Sequence, residues 1–286
     1  MHLDIHSSLA EEAKALLRNA SSGFGIKASL ENKDNYNRIW ARDSALSAMA
    51  IFSAGLADLY PTLKSSLSLL QNAAAANGQI PSNISLIENG KTTNISFGGP
   101  ADRIDAIFWW VIAAVSYLQT THDEDFETKV NKQRNAVFTL AKSWKFNGKG
   151  LMDVPMSSNW PDKYVTHGFV LYNQLLRYWA LAGDFFKNAA WNQEAATIKA
   201  AIKQRFLPAA DQVLDELELS AEKTNVIAIS GESGSGKTTL GQAFRSILTQ
   251  KNYRVLLLHQ KDCFRLPPQQ NHQEIFVAIK EMIPCI

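Results

Sequence analysis

The chain has 286 residues, 46% of them apolar, with 29 basic and 27 acidic side chains and a formal net charge of +2. That composition supports a sizeable core in one large or two ordinary domains, and the near balance of charge removes any electrostatic case for nucleic acid or an anionic membrane as partner. The two cysteines, Cys263 and Cys285, form neither a disulfide framework nor a metal-ligand spacing, the longest apolar stretch (residues 106–115) is too short to span a bilayer, and residues 1–14 lack an apolar signal core, so a cytoplasmic protein is expected.

Residues 1–206 carry helical periodicity almost throughout. The first helix is expected over residues 8–19, with Leu9, Ala13, Leu16 and Leu17 on one face and Gly23 just beyond its end. A second starts after Asp43, a good N-cap, and carries Leu46, Met49, Ala50 and Ile51 toward Gly55. Pro61 suits the first position of a third, which runs through Leu63, Leu67 and Leu70 to Ala76. A loop rich in Gly, Asn and Ser is expected over residues 77–100. Helices follow over 102–121, 125–145, 165–182 and 184–206. About seven helices joined by alternately short and long connections predict paired α-hairpins.

Leu207 and Pro208 close the last helix. Five acids (Asp211, Asp215, Glu216, Glu218 and Glu222) then mark residues 207–224 as a solvated linker or one short amphipathic helix. From residue 225 the pattern changes to strand, loop, helix, strand. Val226, Ala228 and two isoleucines form the first apolar run, and residues 254–258 form the second. The predicted class is mainly α with a C-terminal α/β part.

Between the first run and the helix lie Gly231, Glu232, Ser233, Gly234, Ser235, Gly236, Lys237, Thr238 and Thr239, which fit G-x-x-x-x-G-K-[ST] without a mismatch. Glycines let successive N–H groups converge on phosphate oxygens, and the helix N-terminus adds partial positive charge. Lys237 would reach the β- and γ-phosphates of ATP, and the Thr238 hydroxyl would ligate Mg²⁺.

The helical part offers carboxylates of two kinds. Asp105 precedes Phe108, Trp109 and Trp110 in an apolar helix, a setting that holds a carboxylic acid protonated, although the first-turn dipole acts the other way. Asp102 and Asp105 can equally form a capping arrangement, and Asp43 can be a cap or a ligand contact. Asp162 in an exposed Trp-Pro-Asp loop and Asp153 after Met152 are both candidates for a partner carboxylate. Trp109 stacks on a sugar ring or fills the core, whereas His167 reads as a satisfied core residue.

Four stretches in the first 206 residues resemble the six-hairpin glycosidases, the (α/α)6 toroids that include neutral invertases and glycogen-debranching glucosidases. They are Arg-Ile-Trp-Ala-Arg-Asp-Ser at 38–44, Gly-Gln-Ile-Pro-Ser at 78–82, Ala-Asp-Arg-Ile-Asp-Ala-Ile-Phe-Trp-Trp at 101–110, and Leu-Met-Asp-Val-Pro at 151–155 followed by Asn-Trp-Pro-Asp at 159–162. The resemblance implies a partial (α/α)6 toroid in which Trp40, Arg42 and Asp43 line a sugar site and Asp105 is the general acid. The family's catalytic base belongs to a C-terminal half not found here, and the open face of the half-toroid calls for a protein partner or self-association to cover it.

Residues 225–268 resemble the start of the uridine kinase and phosphoribulokinase family through the phosphate-binding motif and Gln-Lys-Asp-Cys-Phe at 260–264. That resemblance implies an incomplete P-loop parallel sheet over 225–286, with Asp262 beside an acceptor hydroxyl as base or orienting group, or simply capping a turn. The later kinase elements are absent. The chain therefore reads as two incomplete modules in series, as a fusion or a truncated product would, with carbohydrate and nucleotide as expected ligands. The alternative is a carbohydrate-binding or structural helical protein without turnover.

Overall fold

The structure is a computed structural model that describes residues 5–31, 36–86, 91–99, 102–146, 148–160, 165–206, 217, 219, 227 and 237–256. The chain divides into two compact units, residues 1–206 and 207–286.

Seven α-helices are described in the first unit: α1 (Ile5–Ala20), α2 (Ala41–Ser53), α3 (Tyr60–Asn72), α4 (Asp105–Thr121), α5 (Glu124–Ala141), α6 (Leu171–Ala182) and α7 (Ala189–Phe206). Five short strands accompany them. β1 (Ser21–Ser22) and β2 (Gly25–Ile26) form a tight hairpin, and β3 (Ile39–Trp40), β4 (Asn83–Leu86) and β5 (Thr92–Ser96) form an antiparallel sheet in the order β3-β4-β5. Ile39 pairs with Ile84, and Ile84 with Ile95.

Sequence composition decides which helices lie inside. From Asp105 to Leu118 every residue of α4 except Ser116 is buried. A helix apolar on all sides must be surrounded, and α4 packs against α2, α3, α5 and α6. On α2 the buried face is Ala41, Ser44, Ala45, Ala48 and Ile51. Small side chains at that spacing let its backbone approach α4 closely. By contrast α5 buries one stripe, Phe126, Val130, Arg134, Val137, Phe138 and Ala141, and leaves its acids and lysines outside.

The contacts follow one rule. Helices α2, α4 and α6 are neighbours, and each packs against its successor in sequence, α3, α5 and α7. The outer three are tied to one another as well. Gln71 Nε2 of α3 donates to the Lys129 carbonyl of α5 at 2.8 Å, and Trp191 Nε1 of α7 donates to Asn135 Oδ1 of α5 at 2.9 Å. Inner helices flanked by outer partners are the hairpin arrangement of a helical toroid, here as three hairpins.

The α4–α5 turn shows how local chemistry sets a corner. His122 takes a left-handed conformation (φ 53°) and its N–H returns to the Leu118 carbonyl. Asp123 then caps α5, its carboxylate accepting from the Phe126 N–H at 3.1 Å, and Lys64 of α3 pairs with it at 2.5 Å.

Several expectations need correction. Asp43 is not the N-cap of α2, because β3 runs directly into the helix and Trp40 occupies that position. Asp102 is not the cap of α4. It has φ 53°, and the helix begins at Asp105 after Ile104, without a side-chain cap. The loop expected over 77–100 contains β4 and β5, whose short alternation of polar and apolar residues is masked in the sequence by Asn, Ser and Gly. Helix α6 starts at Leu171, since residues 165–170 are not helical and are pinned by a bridge between Val154 and Gly168, where φ is 78°. His167 is consequently exposed rather than a core residue. On α1, Leu17 packs against the core while Leu9 and Leu16 face outward.

In the second unit α8 (Lys237–Gln250) is followed by a turn in which Asn252 has φ 65° and the Tyr253 N–H returns to the Leu248 carbonyl. Phe244 and Leu248 are buried against Leu219, Ile227, Ile247, Tyr253 and Val255. The parallel sheet expected here is not seen among the described residues. Residues 254–256 carry no strand. The rest of both expected strands and the linker at 207–224, apart from Leu217 and Leu219, lie outside the described residues.

Candidate active site

The first turns of the three inner helices meet at one place. Arg42 and Asp43 are the second and third residues of α2, Asp105 is the first of α4, and Tyr172 is the second of α6. Tyr172 Oη donates to Asp105 Oδ2 at 3.1 Å, and Trp109 Nε1, one turn further along α4, donates to Tyr172 Oη at 2.8 Å.

The four sequence-distant motif stretches converge on these turns. The Ala41 N–H donates to the Ser82 carbonyl at 2.9 Å, joining residues 78–82 to the start of α2. The Ile104 N–H donates to the Ser158 carbonyl at 3.1 Å, joining residues 151–160 to the start of α4. Gln174 fastens the same loop to α6, its amide accepting from the Met152 N–H at 3.0 Å and donating to the Met152 carbonyl at 2.7 Å. Asn159 Nδ2 donates to Asn173 Oδ1 at 2.9 Å, and both side chains are buried.

Two cations stand near the acid. The Arg42 guanidinium lies 3.8 Å from the Asp43 carboxylate and 5.5 Å from the centroid of Trp160. Arg103 lies 5.5 Å from the centroid of Trp40, which in turn stacks with Tyr36. Gly98 (φ 126°) permits that placement, because a Cβ there would fall 2.6 Å from Arg103 Cγ. Trp160 and Tyr36 are exposed and Trp40 half-buried, whereas Asp105 is only 3% exposed.

Burial raises the Asp105 pKa above the ordinary carboxylate value. The Tyr172 hydroxyl, Arg42 and Arg103 oppose this by favouring the ionised form, and burial prevails. Burial also raises Tyr172, with the Asp105 charge adding to it, so the phenol keeps its proton. The apolar surroundings weighed in the sequence thus raise the Asp105 pKa, and its neighbours offset them only in part.

The sequence-derived site residues divide as follows. Trp40, Arg42, Asp43, Asp105 and Trp109 are brought together. Trp109 faces Tyr172 and Trp179, whereas Trp110 faces away and donates to the Leu67 carbonyl, so the two adjacent indoles serve different neighbours. Asp153 is half-buried in the loop held by Gln174. Asp162 and Asp262 lie outside the described residues, as do Gly231, Glu232, Ser233, Gly234, Ser235 and Gly236. Lys237, Thr238 and Thr239 open α8. Among the described residues no cluster of His, Cys, Asp and Glu could hold a metal ion, and no helix is long and apolar enough to cross a membrane.

Sequence reading misses Tyr172, Arg103 and Gln174. In the sequence Tyr172 falls inside a longer expected helix, and only its position in a first turn, matching that of Asp105 on α4, distinguishes it. No curated protein matches the chain. The family model for alkaline and neutral invertases matches residues 13–239, a span that holds every motif stretch converging on Asp105. The chain therefore belongs to the alkaline and neutral invertase family of glycoside hydrolases.

Proposed function

We propose that the helical unit carries the acid side of a glycoside-cleaving site, with Asp105 as general acid. The observation that carries this is a carboxyl group 3% exposed, held above its usual pKa by burial, at the meeting point of the three inner helices. A general acid must hold its proton near neutral pH and release it to the oxygen of the departing sugar. Arg42 and Arg103 then stabilise the carboxylate that remains. Trp40 offers an apolar face to a sugar ring, and Arg42 and Asp43 offer polar contacts to the sugar hydroxyls, while Trp109, which is buried, supports Tyr172. Asp162 or Asp153 supplies the second carboxylate. Sugar release from a panel of disaccharides tests this. Asp105→Asn is expected to lower the rate by at least about 100-fold, and an unchanged rate removes Asp105 from the chemistry.

A second reading concerns the other unit, where residues 231–239 would bind ATP and Mg²⁺ for transfer of phosphate to a hydroxyl, with Asp262 beside the acceptor. One observation favours it. The apolar face of α8, through Phe244 and Leu248, packs against Ile227 and Val255, one residue from each expected strand. Magnesium-dependent ATP binding by calorimetry, lost in Lys237→Ala, is the expected result. No heat of binding with the unmodified chain eliminates the reading.

A further inference from the structure

Trp109, Tyr172 and Asp105 form a hydrogen-bonded series whose direction is fixed by chemistry. An indole Nε1–H can only donate, so the 2.8 Å contact makes Tyr172 Oη an acceptor from Trp109. The single phenol hydrogen is then committed to its other partner, Asp105 Oδ2, at 3.1 Å. Oδ2 must accept, and the acid proton of Asp105 is confined to Oδ1. We infer that Tyr172 is the positioning residue of the acid, selecting Oδ1 as the atom that delivers the proton and holding Oδ2 once the proton has left.

The inference rests on Asp105 being the general acid. In the step, the proton passes from Oδ1 to the glycosidic oxygen. The bond between that oxygen and the anomeric carbon breaks, and its electron pair goes to the leaving oxygen. The oxygen of a water or of the second carboxylate bonds to the anomeric carbon in its place, the water giving its proton to that carboxylate. Asp105 becomes a carboxylate whose Oδ2 already receives the Tyr172 hydrogen bond. Burial of Tyr172 keeps its proton in place throughout, and the Trp109 donor polarises the phenol toward the acid. The charged and titratable groups acting on Asp105 come from three directions: Arg42 on α2, Arg103 in the segment before α4, and Tyr172 on α6.

The test is a titration that needs no turnover. Full-length protein labelled with ¹³Cγ-aspartate is titrated by NMR, the Asp105 signal being assigned by its loss in Asp105→Asn. A phenol that donates to the carboxylate lowers its pKa, so Tyr172→Phe is expected to raise the Asp105 midpoint by about half a pH unit or more, the size of one hydrogen bond. Trp109→Phe raises it by less, because the phenol remains but donates more weakly. If Tyr172→Phe does not fold, 3-fluorotyrosine incorporation replaces it. The fluorinated phenol is a stronger donor and lowers the midpoint. A midpoint that ignores both changes overturns the inference. The disaccharide panel is read separately. A shifted midpoint with no Asp105-dependent cleavage leaves the hydrogen-bond series standing and rejects the acid assignment.

Discussion

Asp105 and Arg134 are both ionisable groups withdrawn from water, 3% and 1% exposed, on the two helices of one hairpin. Their surroundings differ completely. Asp105 meets a phenol donor, two nearby cations and the first turn of its helix, all of which act on its charged form. The Arg134 guanidinium lies between the rings of Phe138 and Phe186, 4.9 and 5.1 Å from their centroids, and its Nε and Nη1 have no hydrogen-bond partner. Burial alone pushes it down to about 10. Arg177, also 1% exposed, has what Arg134 lacks, an ion pair with Glu194 of α7. A buried charge with polar partners has its proton affinity set by them. One supported by ring faces alone belongs to packing, and it costs stability.

The sharpest way to break this distinction is cleavage activity. Asp105→Asn is expected to lose at least about 100-fold in rate, whereas Arg134→Met stays within about threefold. Equal losses in a disaccharide assay would erase the distinction.

Stability comes next. Replacing an unpaired buried cation with an apolar side chain of similar length is expected to leave the protein as stable or up to about 3 kcal/mol more stable in urea unfolding. A clear loss would mean that Arg134 has a partner supporting its charge.

The pH dependence separates the two groups by sign. A carboxyl raised above its unfolded value contributes stability that is present at low pH and lost as pH rises through the folded value. Asp105→Asn should therefore melt above the parent at pH 7.5, and the gap should close as pH falls toward the ordinary carboxylate range. The gap amounts to about 1.4 kcal/mol for each tenfold gain in the proton affinity of Asp105 on folding. A gap that widens on acidification would place Asp105 among the ionised carboxylates.

The smallest effect tests the rings. Phe186→Leu keeps apolar volume but removes one π face, and is expected to cost about 0.5–1 kcal/mol in the parent and less in Arg134→Met. Equal costs in both backgrounds would show that the ring packs without regard to the charge.

The helices are legible in the sequence because each carries a full apolar period, and α4 declares its central position through unbroken hydrophobicity. Asp105 is legible for the same reason, as an acid in an apolar run. The starts of helices are not. Entry into α2 depends on β3, whose partner β4 lies more than forty residues away, so Asp43 looks like a cap. Tyr172 does not stand out, since its meaning depends on a contact spanning 67 positions. Gln174 is hidden similarly, because a glutamine in a helix gives no sign that its amide will imitate a strand neighbour for Met152.

That glutamine joins two parts of the site. One turn of α6 grips the acid through Tyr172 and the facing loop through Gln174, so the gap across which a sugar bond would be cut is set by adjacent rungs of a single helix. A displacement of that loop is therefore passed to the same turn that carries Tyr172, the hydrogen-bond partner of Asp105.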